Sequence, residues 1–198
     1  RLIVKSPGIP DTAEIIQLAE NEGIEIISEV EYGFRYMPGD AKVIAISGTN
    51  GKTTTTLLTY HLLKSAGFDV AVAGNVGYSF AKRVSERPYQ YFVLEVSSFQ
   101  LDNIVSFKPN ISVLLNITPD HLDRYNYQFE RYIASKFRIT DNLSKNETFI
   151  YCADSLPVAQ TVAQRQIEAC LFAVSANNKV EQGAYLDSEH LIFNFDIK

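Results

Sequence analysis

Short runs of β-branched and apolar residues alternate along this chain with longer segments whose apolar positions recur at helical spacing. "RLIVKS" reads as a strand. Residues 11–22 read as a helix capped by Asp11 or Thr12, with Ile15, Ile16, Leu18 and Ala19 on its inner face. "IEIIS" predicts a second strand, and residues 28–37 a short helix. "MPGDAK", with Pro38 and Gly39, reads as a turn and marks the expected boundary between a unit over 1–39 and one over 40–198.

A second alternating set follows. "KVIAIS" predicts a strand leading into a helix from Lys52 to Ala66, stopped by Gly67. "DVAVA" leads through "GNVG" to a helix over 78–87, and "YQYFVLEV" leads to "SSFQLD". "ISVLLN" leads to "ITPDHLDRY" and a helix over 127–141; "TFIYC" leads to a helix over 155–165. Residues 169–197 read as strands and turns. Such alternation predicts an α/β fold, a mostly parallel sheet flanked by helices. In that fold ligands sit beyond the carboxyl ends of the strands. The loops "SGTNGK", "GNVG", "EVSSFQ" and "NITPDHLD" all leave strands in that direction.

Composition narrows the classes. The 198 residues are 46% hydrophobic, enough for a sizeable core. The net charge of -5 argues against a general nucleic-acid surface but leaves small anionic ligands open. No apolar run reaches membrane-spanning length. Cys152 and Cys170 lack CxxC spacing and are expected to be two reduced thiols in the core. Asn-x-Ser/Thr triplets at Asn110, Asn116 and Asn146 are read as chance, because the first two flank a buried strand. A chain that opens on a strand without methionine and closes on "HLIFNFDIK" is expected to be part of a longer protein.

The stretch Gly48-Thr49-Asn50-Gly51-Lys52-Thr53 lies between a strand and a helix. Glycines let successive N–H groups converge, the helix adds its positive end, and Lys52 adds a cation. The Thr53 hydroxyl is suited to Mg2+ held between phosphates. The full P-loop pattern would need a glycine at 46, where this chain has Ile46. Thr54 to Thr56 read as the start of the helix, with Thr54 also able to donate to a phosphate. Glu95, ending an apolar strand, is costly unless paired or metal-bound; it either joins Thr53 at Mg2+ or caps the next helix. His121 is a base, a metal ligand or a capping residue on this reading, while His61 and His190 are structural or exposed. Lys136 borders an apolar face formed by Phe129, Tyr132, Ile133 and Phe137. Burial would lower its pKa; the common outcome is an apolar stem with its head in water.

Together, "GTNGKTTTT", "GNVG", "EVSSFQLD", "NITPDHLDRY" and "ASKFRI" resemble the Mur ligases of peptidoglycan synthesis, over residues 2–175. That family's shortened P-loop accounts for Ile46, and "KSPGIP" is similar to a segment of its N-terminal, UDP-binding domain. "SSFQLD" points to the branch adding D-glutamate to UDP-N-acetylmuramoyl-L-alanine (UDP-MurNAc-L-Ala). The resemblance implies a cytoplasmic, ATP-dependent amide ligase acting through an acyl phosphate, with small-molecule substrates and no nucleic-acid or membrane partner. It implies ATP phosphates on Gly48 to Thr53, one Mg2+ on Thr53 and Glu95, and a second metal near His121. It implies that Lys136 reacts with CO2 to a metal-facing carbamate, with Lys52, His121 and Lys136 forming the catalytic set. Asn75 is placed near the muramoyl substrate, with Ser97 and Gln100 in the same pocket. The first strands of the UDP-binding domain, a later adenine-contacting segment and a C-terminal amino-acid-binding domain have no counterpart here, so the chain alone is expected not to ligate. The alternatives are another Mur ligase with a different amino acid, or a P-loop switch or ATPase.

Overall fold

The structure is a computed structural model and describes residues 1–195. Two strands, β1 (Leu2–Lys5) and β2 (Glu25–Ser28), pair in parallel, with α1 (Glu14–Asn21) crossing between them. Helix α2 (Glu29–Tyr36) follows at once, because Ser28 accepts from the Glu31 N–H and caps it. It packs against α4 (Phe80–Glu86).

The larger sheet holds β3 (Lys42–Ser47), β4 (Val70–Gly74), β5 (Tyr91–Glu95), β6 (Ile111–Leu114), β7 (Thr148–Cys152), β8 (Cys170–Ser175), β9 (Gly183–Asp187) and β10 (His190–Asn194). Their order is β10-β9-β8-β7-β6-β3-β5-β4. All neighbours are parallel except the β9–β10 hairpin. From β3 the chain runs out to the edge at β4, returns to β5 beside β3, and then crosses to β6 on the other side of β3. That reversal opens a crevice at the carboxyl end of β3.

Alternation along β3 divides the core. Ile44 and Ile46, with Val70 and Val93, face α3 (Lys52–Ser65) through Tyr60 and Leu63. Val43 and Ala45, with Phe92, Leu94 and Phe149, face the opposite layer. That layer includes Phe80, Leu101 of α5 (Ser98–Leu101), Tyr132 and Phe137 of α6 (Phe129–Phe137), and Val158 of α7 (Leu156–Gln164). Fully burying each such large side chain contributes roughly 1.5–3 kcal/mol.

The expected alternation is thus observed, with three corrections. Helix α1 starts at Glu14 behind Ala13, without a side-chain cap, rather than at Asp11 or Thr12. Only Ile16 and Ala19 of its expected inner face are buried; Ile15 and Leu18 are exposed, because a short helix over two strands covers one narrow stripe. The cysteines are free but not core residues, Cys152 being half-buried and Cys170 exposed. Cys170 shares a strand face with exposed Val174, beyond the strands that α3 covers. His61 and His190 are both exposed, as expected. Of the tail read as strands and turns, residues 196 and 197 lie outside the described residues.

Candidate active site

β3 delivers the chain into the glycine loop, and α3 takes it away. Gly51 sits at φ 84°, a left-handed conformation that a side chain would resist, and directly precedes the helix. The first amides of α3 have no intrahelical partner and carry the positive end of its dipole. Lys52 Nζ lies over the loop, donating to the carbonyls of Gly48 (2.9 Å) and Thr49 (2.8 Å).

The loop after β6 holds this turn in shape. Thr49 N–H donates to Asn116 O at 2.8 Å, and Asn50 N–H to Asn116 Oδ1 at 2.9 Å. Asn116 Nδ2 donates back to Asn50 O at 3.0 Å. Thr118 N–H donates to Thr49 Oγ1 at 3.0 Å. The backbone amides of Thr49 and Asn50 are therefore committed to the neighbouring loop. An incoming anion is left the amides from Gly51 onward, at the head of α3.

The second cluster joins three strand ends. Thr53 Oγ1 donates to Glu95 Oε2 at 2.7 Å, and Asn75 Nδ2 donates to Glu95 Oε1 at 2.8 Å. Glu95 is buried at the end of β5. Gly74, at φ 97°, lets β4 approach so closely that an added Cβ would lie 2.2 Å from Glu95 O. A buried carboxylate touching a hydroxyl at the mouth of the glycine loop is a hard-oxygen donor pair that fits Mg2+. Among the described residues, no group of three or more His, Cys, Asp or Glu gathers as an all-protein metal cage.

Lys136 departs from the common fate of an amphipathic lysine. It is 2% exposed, and its Nζ donates to Gly48 O at 2.8 Å, the carbonyl that Lys52 also uses. Burial, reinforced by the charge of Lys52, brings its pKa down to about 7. Its helix is anchored on both sides. Tyr132 OH lies 3.2 Å from Thr49 Oγ1, while Ser135 Oγ and Tyr125 OH donate to the two carboxylate oxygens of Asp102. Burial raises the pKa of Asp102 despite these bonds.

Asn75 and Gln100 line one cavity of about 420 Å³ with Lys5, Ser6, Pro7, Glu29, Gly74 and Ser79. The "KSPGIP" segment and the "GNVG" loop therefore face each other. Ser97 and Gln100 form a reciprocal capping box at the start of α5, Ser97 N–H donating to Gln100 Oε1 at 3.0 Å. The first task of both side chains is thus to shape that turn. His121 stands on the loop after β6 at φ 50°, largely exposed, with its ring edge-on to Phe99 and 3.6 Å from Asp120. Lys52, Thr53, Asn75, Glu95 and Lys136 fall into two hydrogen-bonded clusters at the strand ends, and His121, on the loop after β6, is hydrogen-bonded into neither. Thr54 opens α3 as expected. Asn116, Tyr132 and Asp102 escaped the sequence reading; the position of Asn116 beyond a strand end, in the loop that carries His121, was the available signal.

Residues 46–197 match the family described as Mur ligase middle domain. The chain belongs to the Mur ligase family. It is 46% identical over 191 residues to the UDP-N-acetylmuramoylalanine--D-glutamate ligase of Christiangramia forsetii, covering 96% of this chain and 42% of that protein. It is 51% identical over 176 residues to the enzyme of the same name from Porphyromonas gingivalis, covering 88% and 39%. The chain thus spans about two-fifths of the length of the curated relatives it matches. Among solved structures, the fold resembles the UDP-N-acetylmuramate:L-alanyl-gamma-D-glutamyl-meso-diaminopimelate ligase from Neisseria meningitides, with TM-score 0.66, 14% identity and coverage of 98% and 64%. It also resembles the MurF ligase from Thermotoga maritima in complex with ADP, with TM-score 0.58, 18% identity and coverage of 96% and 51%. A mostly parallel sheet flanked by helices is the architecture these Mur ligases share with this chain.

Proposed function

We propose that this chain is the nucleotide-handling part of an ATP-dependent amide ligase that adds D-glutamate to UDP-N-acetylmuramoyl-L-alanine in the cytoplasm. The observation that carries the reading is the convergence on Gly48 O of two lysines, Lys52 and buried Lys136, beside the Thr53–Glu95 pair. The names of the relatives supply the substrates. A simple P-loop switch has no evident use for a second, desolvated lysine on its phosphate loop.

The chemistry needs an activated carboxylate. Phosphorylation by ATP turns the substrate carboxylate into an acyl phosphate with a good leaving group; the amine of the amino acid attacks, and phosphate departs. Lys52 and the amides heading α3 neutralise phosphate charge. Thr53 and Glu95 would hold Mg2+, which supplies further charge neutralisation when bound. Asn75 keeps Glu95 oriented through its 2.8 Å bond and presents its loop to the cavity that this reading assigns to the muramoyl substrate. With a pKa near 7, Lys136 holds a useful fraction of neutral amine, the form that adds to CO2. Addition of CO2 with loss of a proton would replace a cation with an anion at Lys136, and this group and His121 would be the residues to hold a second metal.

The test uses the natural polypeptide that carries this chain. Phosphate release should require ATP, Mg2+, UDP-MurNAc-L-Ala and D-glutamate together. Release with ATP alone would favour the switch, and release with another amino acid would favour a different Mur ligase. Incubation with 13C-bicarbonate should give a carbamate carbonyl signal that Lys136→Arg removes.

A further inference from the structure

Two asparagines bracket β6, and each uses its carboxamide on the backbone of β3 or of the loop leaving it. Asn110 Oδ1 accepts from Val43 N–H at 2.9 Å near the start of β3. Asn116 Oδ1 and Nδ2 pair with both the N–H and the C=O of Asn50 in the phosphate loop, at 2.9 and 3.0 Å. Carboxamide against peptide is a two-point match that no other uncharged side chain apart from glutamine can make. Asn116 also accepts the Thr49 N–H through its own carbonyl at 2.8 Å. Three bonds from one residue therefore fix two consecutive residues of the turn. Gly48 and Gly51, on either side, would otherwise leave it free to change shape.

We infer that Asn116 is a positioning residue for nucleotide binding, holding Thr49 and Asn50 so that the amides from Gly51 onward and Lys52 are already arranged for the phosphates. This rests on the nucleotide reading above and deepens it. Asn116 acts through the turn in this scheme, its carboxamide oxygen and nitrogen each bonded to Asn50. Its contribution is the fraction of molecules whose loop is competent before nucleotide arrives. Apparent affinity falls in proportion when that fraction falls. Losing two hydrogen bonds, each of modest net value, would lower the competent fraction to about one-tenth.

The experiment measures binding of Mg2+-ADP by calorimetry to the natural polypeptide and to three variants. Asn116→Ala should weaken binding about tenfold. Asn116→Asp should weaken it further: it keeps the acceptor for the Asn50 N–H, loses the donor to Asn50 O, and sets a negative charge beside that carbonyl and the nucleotide. Asn110→Ala, which loses a comparable side-chain bond at the other end of the same strand, should leave affinity within about twofold, since additivity holds for distant sites. Each variant is measured where its circular dichroism matches the parent. Parental binding with unchanged affinity in both Asn116 variants overturns the inference alone. Equal weakening by Asn110→Ala overturns it too, because a general loosening of the sheet would then explain the effect. No binding by the parent overturns the nucleotide reading itself.

Discussion

Glu31 offers a sharp test of how the small N-terminal unit is fastened to the larger sheet. The carboxylate is fully buried on α2. Its Oε2 accepts the N–H groups of Val105, Ser106 and Phe107 at 3.0, 3.0 and 2.8 Å. Its Oε1 accepts Ser106 Oγ at 2.6 Å and Arg35 Nε at 2.8 Å. Burial by itself would raise the pKa of this group. The bonds from Ser106, Val105 and Arg35 outweigh burial and hold it below the ordinary carboxylate value. Glu31→Gln keeps the shape but puts an NH2 against groups that are themselves donors, whichever way the amide turns. Breaking such a buried charged network costs about 3–5 kcal/mol, equivalent to a fall in Tm on the order of 10 °C for a chain of this size. Urea unfolding monitored by circular dichroism measures the loss. The sign of the pH dependence is fixed as well. With the folded pKa depressed, the contribution is fully present above the unfolded carboxylate range, near 4.5, and disappears as pH falls through the folded value. The parent should therefore lose stability below about pH 4.5 more steeply than Glu31→Gln. A cost under about 1 kcal/mol, or parallel pH curves, would refute the view that this carboxylate bolts α2 to the 105–107 loop.

Three further outcomes are expected. Lys136 titrates near 7 when folded and far higher when unfolded, so the unfolded chain binds more protons between those values and stability should rise with pH across them; Lys136→Met should flatten that rise in urea titrations at pH 7 and 9. Gly74→Ala and Gly67→Ala both force a side chain to positive φ, but only the first meets backbone, at 2.2 Å, whereas Gly67 has nothing within 4 Å. Thermal denaturation should therefore show about 1 kcal/mol lost at Gly67 and clearly more at Gly74, with weakened Mg2+-nucleotide binding in the Gly74 variant alone. Thr53→Val removes the hydroxyl bonded to Glu95 while keeping volume; it should weaken nucleotide binding about tenfold with Mg2+ present and much less with EDTA, measured by calorimetry.

Much of the molecule was legible in one dimension because the signals are local. Strand and helix periodicities, the Gly51 turn and the placing of Lys52 at a helix start each depend on residues within a few positions of one another. The meeting of Thr53 with Glu95 also followed, since parallel strands bring their carboxyl ends to one edge. What the line of residues left open concerns depth and distant partners. Lys136 borders an apolar stripe in the sequence, and a snorkelling lysine would look the same there. Only the packing of α6 against the glycine loop buries its head on Gly48 O and drops its pKa. The role of Asn116 was not legible because its partner is Asn50, sixty-six positions away, across β6 and β3. Cys170 read as core and is exposed, because strand alternation specifies which face a residue takes but not whether a helix covers that face. The sequence by itself thus determined the elements and their chemistry-bearing ends. The tertiary structure alone decided which groups are desolvated and which loop holds which, because burial and long-range hydrogen bonding are set by neighbours that arrive from elsewhere in the chain.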